Sequence, residues 1–315
     1  RQFEERLGRL EDAREELLES RRALREEASD REKDGDAAGA EHYRWQAEAL
    51  LDGADSLKEQ IRQAGNAAGR MELRRMEDTM LWTAQNLMGT YHSLEAEQAA
   101  ASARAEAQKH LSEKVKDQEM LGSSTSYHSQ EAYQKWQSAL NEYERLKKEQ
   151  ERVRQELLLL TGFSPDSPVV LEKMPLPDVS RAALVNPQED RQQALGNNYE
   201  LRSGRMGNAG SNQELHKKQR QTELDENQMF ASLETLGDQI RSCEAEWEAA
   251  CAKEQAQRAV WQSAVRKREL GTMAEGEYLE IYSQYMEEKG NQAQASIRFL
   301  LAMEEYDWAK KGLMD

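Results

Sequence analysis

The chain has 315 residues, of which 38% are hydrophobic and 32% charged, with a mean hydropathy of -0.96. That is too polar for one large compact core, since globular domains run closer to half apolar and a quarter charged. A net charge of -16 argues against nucleic acid as a partner and against an anionic membrane surface, because phosphate binding needs basic surface. No apolar run approaches the roughly 20 residues of a membrane helix, "LLLL" at 157–160 included. The abundance of Ala, Glu, Gln, Leu, Lys and Arg favours helix, and elongated helices burying narrow seams suit the balance better than a globule. The chain starts at Arg1 rather than Met, which reads as a trimmed N-terminus and leaves the compartment open.

Residues 3–33 are helical by composition and heavily charged, and "KDGDAAGAEH" (33–42) reads as a turn. A second helix is expected over 43–63. "AGNAAGR" (64–70) is either a break or a weak place in a continuing helix. From 71 to 120 there is no Pro, and Met80, Leu81, Ala84, Leu87, Met88 and Tyr91 carry a helical period. In "EMLGSSTSYHSQEAY" (119–133), Gly122 stops a helix and the Ser/Thr cluster after it supplies an N-cap. Trp136, Leu140, Tyr143, Leu146, Val153, Leu157 and Leu160 then form a seam.

All 5 prolines fall between Pro165 and Pro187, so residues 161–190 read as an extended connection. "EDRQQALGNNYELRSGRMG" follows as a short helical element, and "GNAGSN" (207–212) as a loop or kink. From 214 the heptad is clearest, with Leu233, Leu236, Ile240, Cys243 and Trp247 at alternating steps of three and four. The pattern resumes through Trp261 to Leu270. After "RKRELGTMAEGEYLEIY" (266–282) a last helix is expected from about 275 to 311, carrying Tyr278, Tyr282, Tyr285, Ile297, Leu300 and Met303.

Two segments share one layout: long helix, Leu-Gly break, small polar residues, aromatic-studded helix. With Gly122 set on Gly271, Tyr133 meets Tyr282 and Trp136 meets Tyr285, an offset of 149 residues. The expected organisation is a tandem duplication: residues 1–160 as a first helical-hairpin repeat, 161–190 as a Pro-rich crossover linker, and 191–315 as a second repeat. Both breaks should lie at one end of a bundle, far from the crossover.

Little else in the sequence carries chemistry. The 5 His are not spaced three or four apart, so no helix-borne metal pair exists, and no phosphate loop, G-x-S-x-G or H-E-x-x-H occurs. Cys243 and Cys251 stand eight apart on one expected helix, roughly 12 Å, too far for a disulfide. Cys243 on the seam should be buried and inert. The Trp residues should sit mainly at seam positions. No enzyme activity, cofactor or metal is expected.

The breaks and their surroundings resemble the TolC-like outer membrane efflux protein family. "VRKRELGTMAEGEYLEIYSQY" (265–285) resembles the second-repeat hairpin turn, roughly Y-x-x-G-x-x-S/T-x-x-D-V/L-L, and "KVKDQEMLGSSTSYHSQEAYQKW" (114–136) a weaker first-repeat version. "LLLLTGFSPDSPVVL" is similar to the end-of-repeat L-x-x-L-x-G and its Pro-containing crossover. "EDRQQALGNNYELRSGRMG" resembles a second-repeat start, A-x-x-N-N-P-E-L-x-x-A, and "FLLAMEEYDWAKKGL" the closing helix. The likeness runs from about residue 71 to the C-terminus.

The resemblance implies an all-α protomer of long antiparallel coiled-coil hairpins in two tandem repeats. It implies a homotrimeric helical barrel of the cell envelope, in the outer membrane and periplasm, that works in efflux or export with a membrane-fusion (adaptor) protein and an inner-membrane transporter. The docking tips would be Leu121, Gly122, Ser123 and Thr125, with Leu270, Gly271, Thr272 and Met273. Two acidic residues after the second turn fall on Glu277 and Glu280, three apart on one helix face, and would form a pore-entrance ring. The sequence departs from the family twice. Met273 stands where a basic latch residue is usual, whose polar partners in the first turn would be Tyr127 and His128, so the latch is expected to be absent or rebuilt. Neither 64–70 nor 207–212 shows the ~9–11 alternating positions of a barrel strand, so no β-barrel is expected. The alternatives are a structural or scaffolding coiled-coil envelope protein that keeps the fold without the channel and, third, a cytoplasmic coiled-coil adaptor.

Overall fold

The computed structural model describes residues 2–33, 36–65, 67–206 and 210–314, with only the backbone of 2–6, 38, 63–65, 67 and 206. Among them there are nine helices and no strand: α1 (Gln2–Lys33), α2 (Ala37–Gly65), α3 (Ala67–Met120), α4 (Ser126–Leu160), α5 (Val179–Ala182), α6 (Pro187–Asn197), α7 (Tyr199–Met206), α8 (Asn212–Glu269) and α9 (Glu275–Lys311). The stretches 64–70 and 207–212 include residues 66 and 207–209, which lie outside the described residues, as does part of the 33–42 turn. The chain divides into two units, residues 1–77 and 78–315.

In the first unit α1 and α2 form an antiparallel hairpin with a strict heptad on each side. Along α2 the inward positions are Ala40, Tyr43, Ala47, Leu50, Ala54, Leu57 and Ile61; the three alanines are fully buried, as is Ala28 of α1. Small residues at every seventh position let the helix axes approach. Asp36 starts α2, its carboxylate accepting from Gly39 N at 3.0 Å and from Arg31 at 3.2 Å; the backbone contact, then the guanidinium, hold it below the ordinary carboxylate range.

The second unit is organised around α9. One side of α9 meets α8: Trp261 stacks on Tyr285 at 4.6 Å, and Trp247 meets Phe299 at 5.8 Å. Partners step backwards on one helix as they step forwards on the other, so the pair is antiparallel. The seam read in α8 is the one observed, with Leu233 and Ile240 fully buried and Leu236, Cys243 and Trp247 packed against the core.

The other side of α9 meets α3, also antiparallel. Trp308 Nε1 donates to Gln85 at 2.6 Å, Gln294 to Glu97 at 3.0 Å, and Arg104 pairs with Glu287 at 3.2 Å. Small residues set the spacing: a Cβ on Gly290 would lie 3.3 Å from the Ala96 carbonyl oxygen. The α4 seam is borne out at Leu146, Val153 and Leu157, to which the structure adds Leu158.

Several expectations are corrected. Met80 and Leu81 are exposed, and the period is carried by neighbours that face α9 instead. Trp45 is also exposed, at the outward position of α2 opposite Ala47. Cys243 is partly buried rather than buried; burial lifts its thiol above the ordinary value. The extended connection is shorter than 161–190, because Pro187 opens α6 behind Asn186, whose side chain accepts from Gln188 N. Pro at the first helical position loses no hydrogen bond. The single element read at 189–207 is two helices, parted at the fully buried Asn198.

Candidate functional site

Each hairpin turn is built from the same hydrogen bonds. In the first, Gly122 N donates to Glu119 O at 2.9 Å and Ser123 N to Gln118 O at 2.8 Å. In the second, Gly271 N donates to Arg268 O at 3.0 Å and Thr272 N to Lys267 O at 2.9 Å. This pair of bonds closes a helix around a left-handed residue, and the glycines have φ of 74° and 67°. Open space surrounds both, so backbone conformation alone demands glycine there. The hydroxyl after each glycine repeats the theme: Ser123 Oγ donates to Gln118 O and Thr272 Oγ1 to Lys267 O, each at 3.0 Å.

The correspondence continues past the turns. α4 begins at Ser126 and α9 at Glu275, again 149 residues apart. The same closure ends them, at Gly162 with Phe163 N on Leu158 O, and at Gly312 with Leu313 N on Trp308 O. The sequence reading had only part of this second pair, the Gly162 end.

At the caps the tips differ. The Thr125 side chain accepts from His128 N and caps α4. Its counterpart, Ala274, makes no side-chain cap. Arg268 braces the second turn instead, pairing with Glu275 at 2.8 Å and lying 4.2 Å from the Tyr278 ring.

Both apices present leucine to solvent: Leu121 is 82% and Leu270 77% exposed. Met120 and Tyr127 flank the first, also exposed. The candidate residues Ser123, Thr125, Gly271 and Thr272 therefore build the turns, and Leu121 and Leu270 supply their apolar surface. Met273 is half-buried. His110, near the end of α3, packs on Gly276 at the start of α9, which sets the second turn beside the last turns of α3.

Glu277 and Glu280 are exposed on the first turns of α9. The helical period places them on the flank between the side that meets α3 and the side that carries Tyr278 and Tyr282 towards α8. Among the described residues no cluster of His, Cys, Asp or Glu is arranged to hold a metal, and no helix is long and apolar enough to cross a membrane.

A second polar centre, which no periodic pattern announces, lies at the other end of α9. Arg181 of α5 forks between Glu304, at 2.7 Å, and Asp307. Asp190 of α6 accepts from Tyr306 Oη at 2.9 Å and from Lys310 at 3.1 Å. Burial, then the Asp190 contact, push the Tyr306 phenol well above its ordinary value. These bonds clip the crossover to the closing helix.

The fold is similar to that of solved outer-membrane channel protomers. Superposed on CusC, whose solved structures follow its folding and transmembrane channel formation, the chain matches over 96% of its own length and 97% of CusC's, with a TM-score of 0.53 and 13% identity. The outer-membrane channel OprN matches over 84% of this chain and 72% of its own, with a TM-score of 0.48 and 13% identity. CmeC, the outer-membrane channel of Campylobacter jejuni, matches over 87% and 69%, with a TM-score of 0.37 and 16% identity. At 13% identity the CusC superposition speaks for the fold. The resemblance read in the hairpin turns is borne out at that level. No protein-family model matches the chain, and no curated protein matches it in sequence.

Proposed function

We propose that the chain is a non-enzymatic conduit component of the cell envelope, acting in efflux or export by oligomeric packing of its hairpins into a helical barrel. The observation that supports this best is the pair of equivalent turns, each with an exposed leucine at its apex, in a protomer that superposes on CusC over nearly its full length. Isolated exposed leucines need no explanation. Two at equivalent apices form a repeated surface suited to a partner's helical hairpins, and an adaptor protein bridging to an inner-membrane transporter is the partner we assign to it.

Three copies would bring Glu277 and Glu280 into two stacked rings of three carboxylates each. Such rings favour cations, and the exposed flank on which they lie leaves them free to line an entrance. Charge reversal tests the assignment: Glu277→Lys with Glu280→Lys in reconstituted trimers shifts ion selectivity away from cations. Unchanged conductance and selectivity would remove both residues from the pore.

A further inference from the structure

The two long hairpins repeat one another at the offset of 149 residues that sets Gly122 on Gly271. The offset lays α3 on α8 and α4 on α9, so a contact between one pair of helices has a counterpart between the other pair. Within the chain α9 packs on α3. Gln294 donates to Glu97 at 3.0 Å, a Cβ on Gly290 would meet Ala96 and Ala100, and Ile297 and Leu301 close on Gly89. The counterpart is a contact of α4 on α8.

On α8, Ala245 and Ala249 stand at the positions of Ala96 and Ala100, Glu246 at that of Glu97, and Asp238 at that of Gly89. On α4, Asn141 corresponds to Gly290, Arg145 to Gln294, and Lys148 and Arg152 to Ile297 and Leu301. The α3 and α9 residues of this set are buried or half-buried, whereas every one of their α4 and α8 counterparts is exposed. The contact that covers the first set is therefore not made on the second set within one chain.

The charges on the two uncovered faces match. Carried across the repeat, Arg145 falls on Glu246, and Lys148 and Arg152 fall on Asp238. Inside the chain Arg145 pairs with Glu142 at 2.8 Å, Arg152 with Glu149 at 2.6 Å, Asp238 with Arg241, and Glu246 with Arg298 at 3.6 Å. These are exposed pairs of small worth, and each group can turn to a second partner. The sizes match as well. Asn141 in place of glycine holds the helix axes further apart than those of α3 and α9, and Lys and Arg span the wider gap where Ile and Leu touch.

We infer that α4 of one copy packs on α8 of the next, with Arg145 paired to the partner's Glu246, and Lys148 and Arg152 to the partner's Asp238. Each copy offers α4 to one neighbour and α8 to the other, the head-to-tail arrangement that closes into a ring. The inference rests on the assembly proposed above and not on any transport activity.

Sedimentation equilibrium of the purified full chain tests it. Arg145→Glu or Glu246→Arg alone should raise the dissociation constant about tenfold or more, as for disruption of a close charge pair across an interface. The two reversals in one chain should restore most of the loss, and because that chain carries both substitutions, its recovery excludes misfolding as the cause of either single effect. A chain that associates equally well with either reversal, or whose double variant is no tighter than the weaker single one, overturns the interface and leaves the assembly standing. A wild-type chain that is monomeric at every concentration overturns both.

Discussion

Gly122 and Gly271 sit 149 residues apart with nearly equal φ, 74° and 67°, and each ends its helix with the same two backbone hydrogen bonds. Placing a Cβ on a left-handed residue costs roughly 1–2 kcal/mol, and neither site offers a contact to offset or aggravate that. Gly122→Ala and Gly271→Ala should therefore destabilise by the same amount, about 1 kcal/mol, in denaturant unfolding. The caps should separate what the glycines equate. Thr125→Ala should cost about 1 kcal/mol, and Ala274→Ser should stabilise by a similar or smaller amount.

Where α3 and α9 touch, the limit is steric. A Cβ at Gly290 meets the Ala96 carbonyl oxygen at 3.3 Å, and helix backbone yields less readily than a flexible side chain. Gly290→Val should destabilise by about 1–3 kcal/mol and disturb the neighbouring Arg104–Glu287 pair. Thermal unfolding, together with a crystal structure of the variant, checks both parts.

Burial lifts the Glu305 carboxyl above its ordinary 4.5. Because the folded value lies above the unfolded one, the native state binds the proton more tightly. The ionised form therefore costs stability as pH rises from the unfolded value through the folded one. Below the unfolded value the carboxyl is protonated in both states and the penalty vanishes. Glu305→Gln should raise Tm at neutral pH and change it little at about pH 3.5. Equal effects at both pH values would show that packing, not ionisation, is responsible.

Leu121 and Leu270 are exposed, so replacing both with Ser should change stability by less than about 0.5 kcal/mol each. Adaptor capture by the purified chain should fall sharply all the same. Undiminished capture by a well-folded double variant would move the docking surface elsewhere.

Much of this fold was legible because its signals are local. Leu-Gly followed by Ser or Thr fixes a turn whatever surrounds it, and the α8 heptad names its own buried face. The first hairpin was harder to read. Its seam uses Ala40, Ala47 and Ala54, which are weakly apolar, opposite a helix that places Arg14 and Arg21 at inward positions. Met80 and Leu81 misled because apolar character does not say which face a neighbour covers. The crossover clips were invisible for a different reason. His92 and Arg181 reach partners 80 and 123 residues away, Arg154 bonds carbonyls 13 and 15 residues on, and nothing in their spacing announces such bonds. The Glu277 and Glu280 assignment rests on position after the second glycine, and their exposure suits either a pore or an ordinary solvated face.

The assembly is the most direct test. Multi-angle light scattering of the purified chain, paired with electron-microscopic imaging of the same fraction, reads both copy number and shape. The conduit account predicts a closed particle of three chains with a hollow helical cylinder. A monomer, a dimer or an open filament without a lumen would contradict it and favour a scaffold that shares the fold alone.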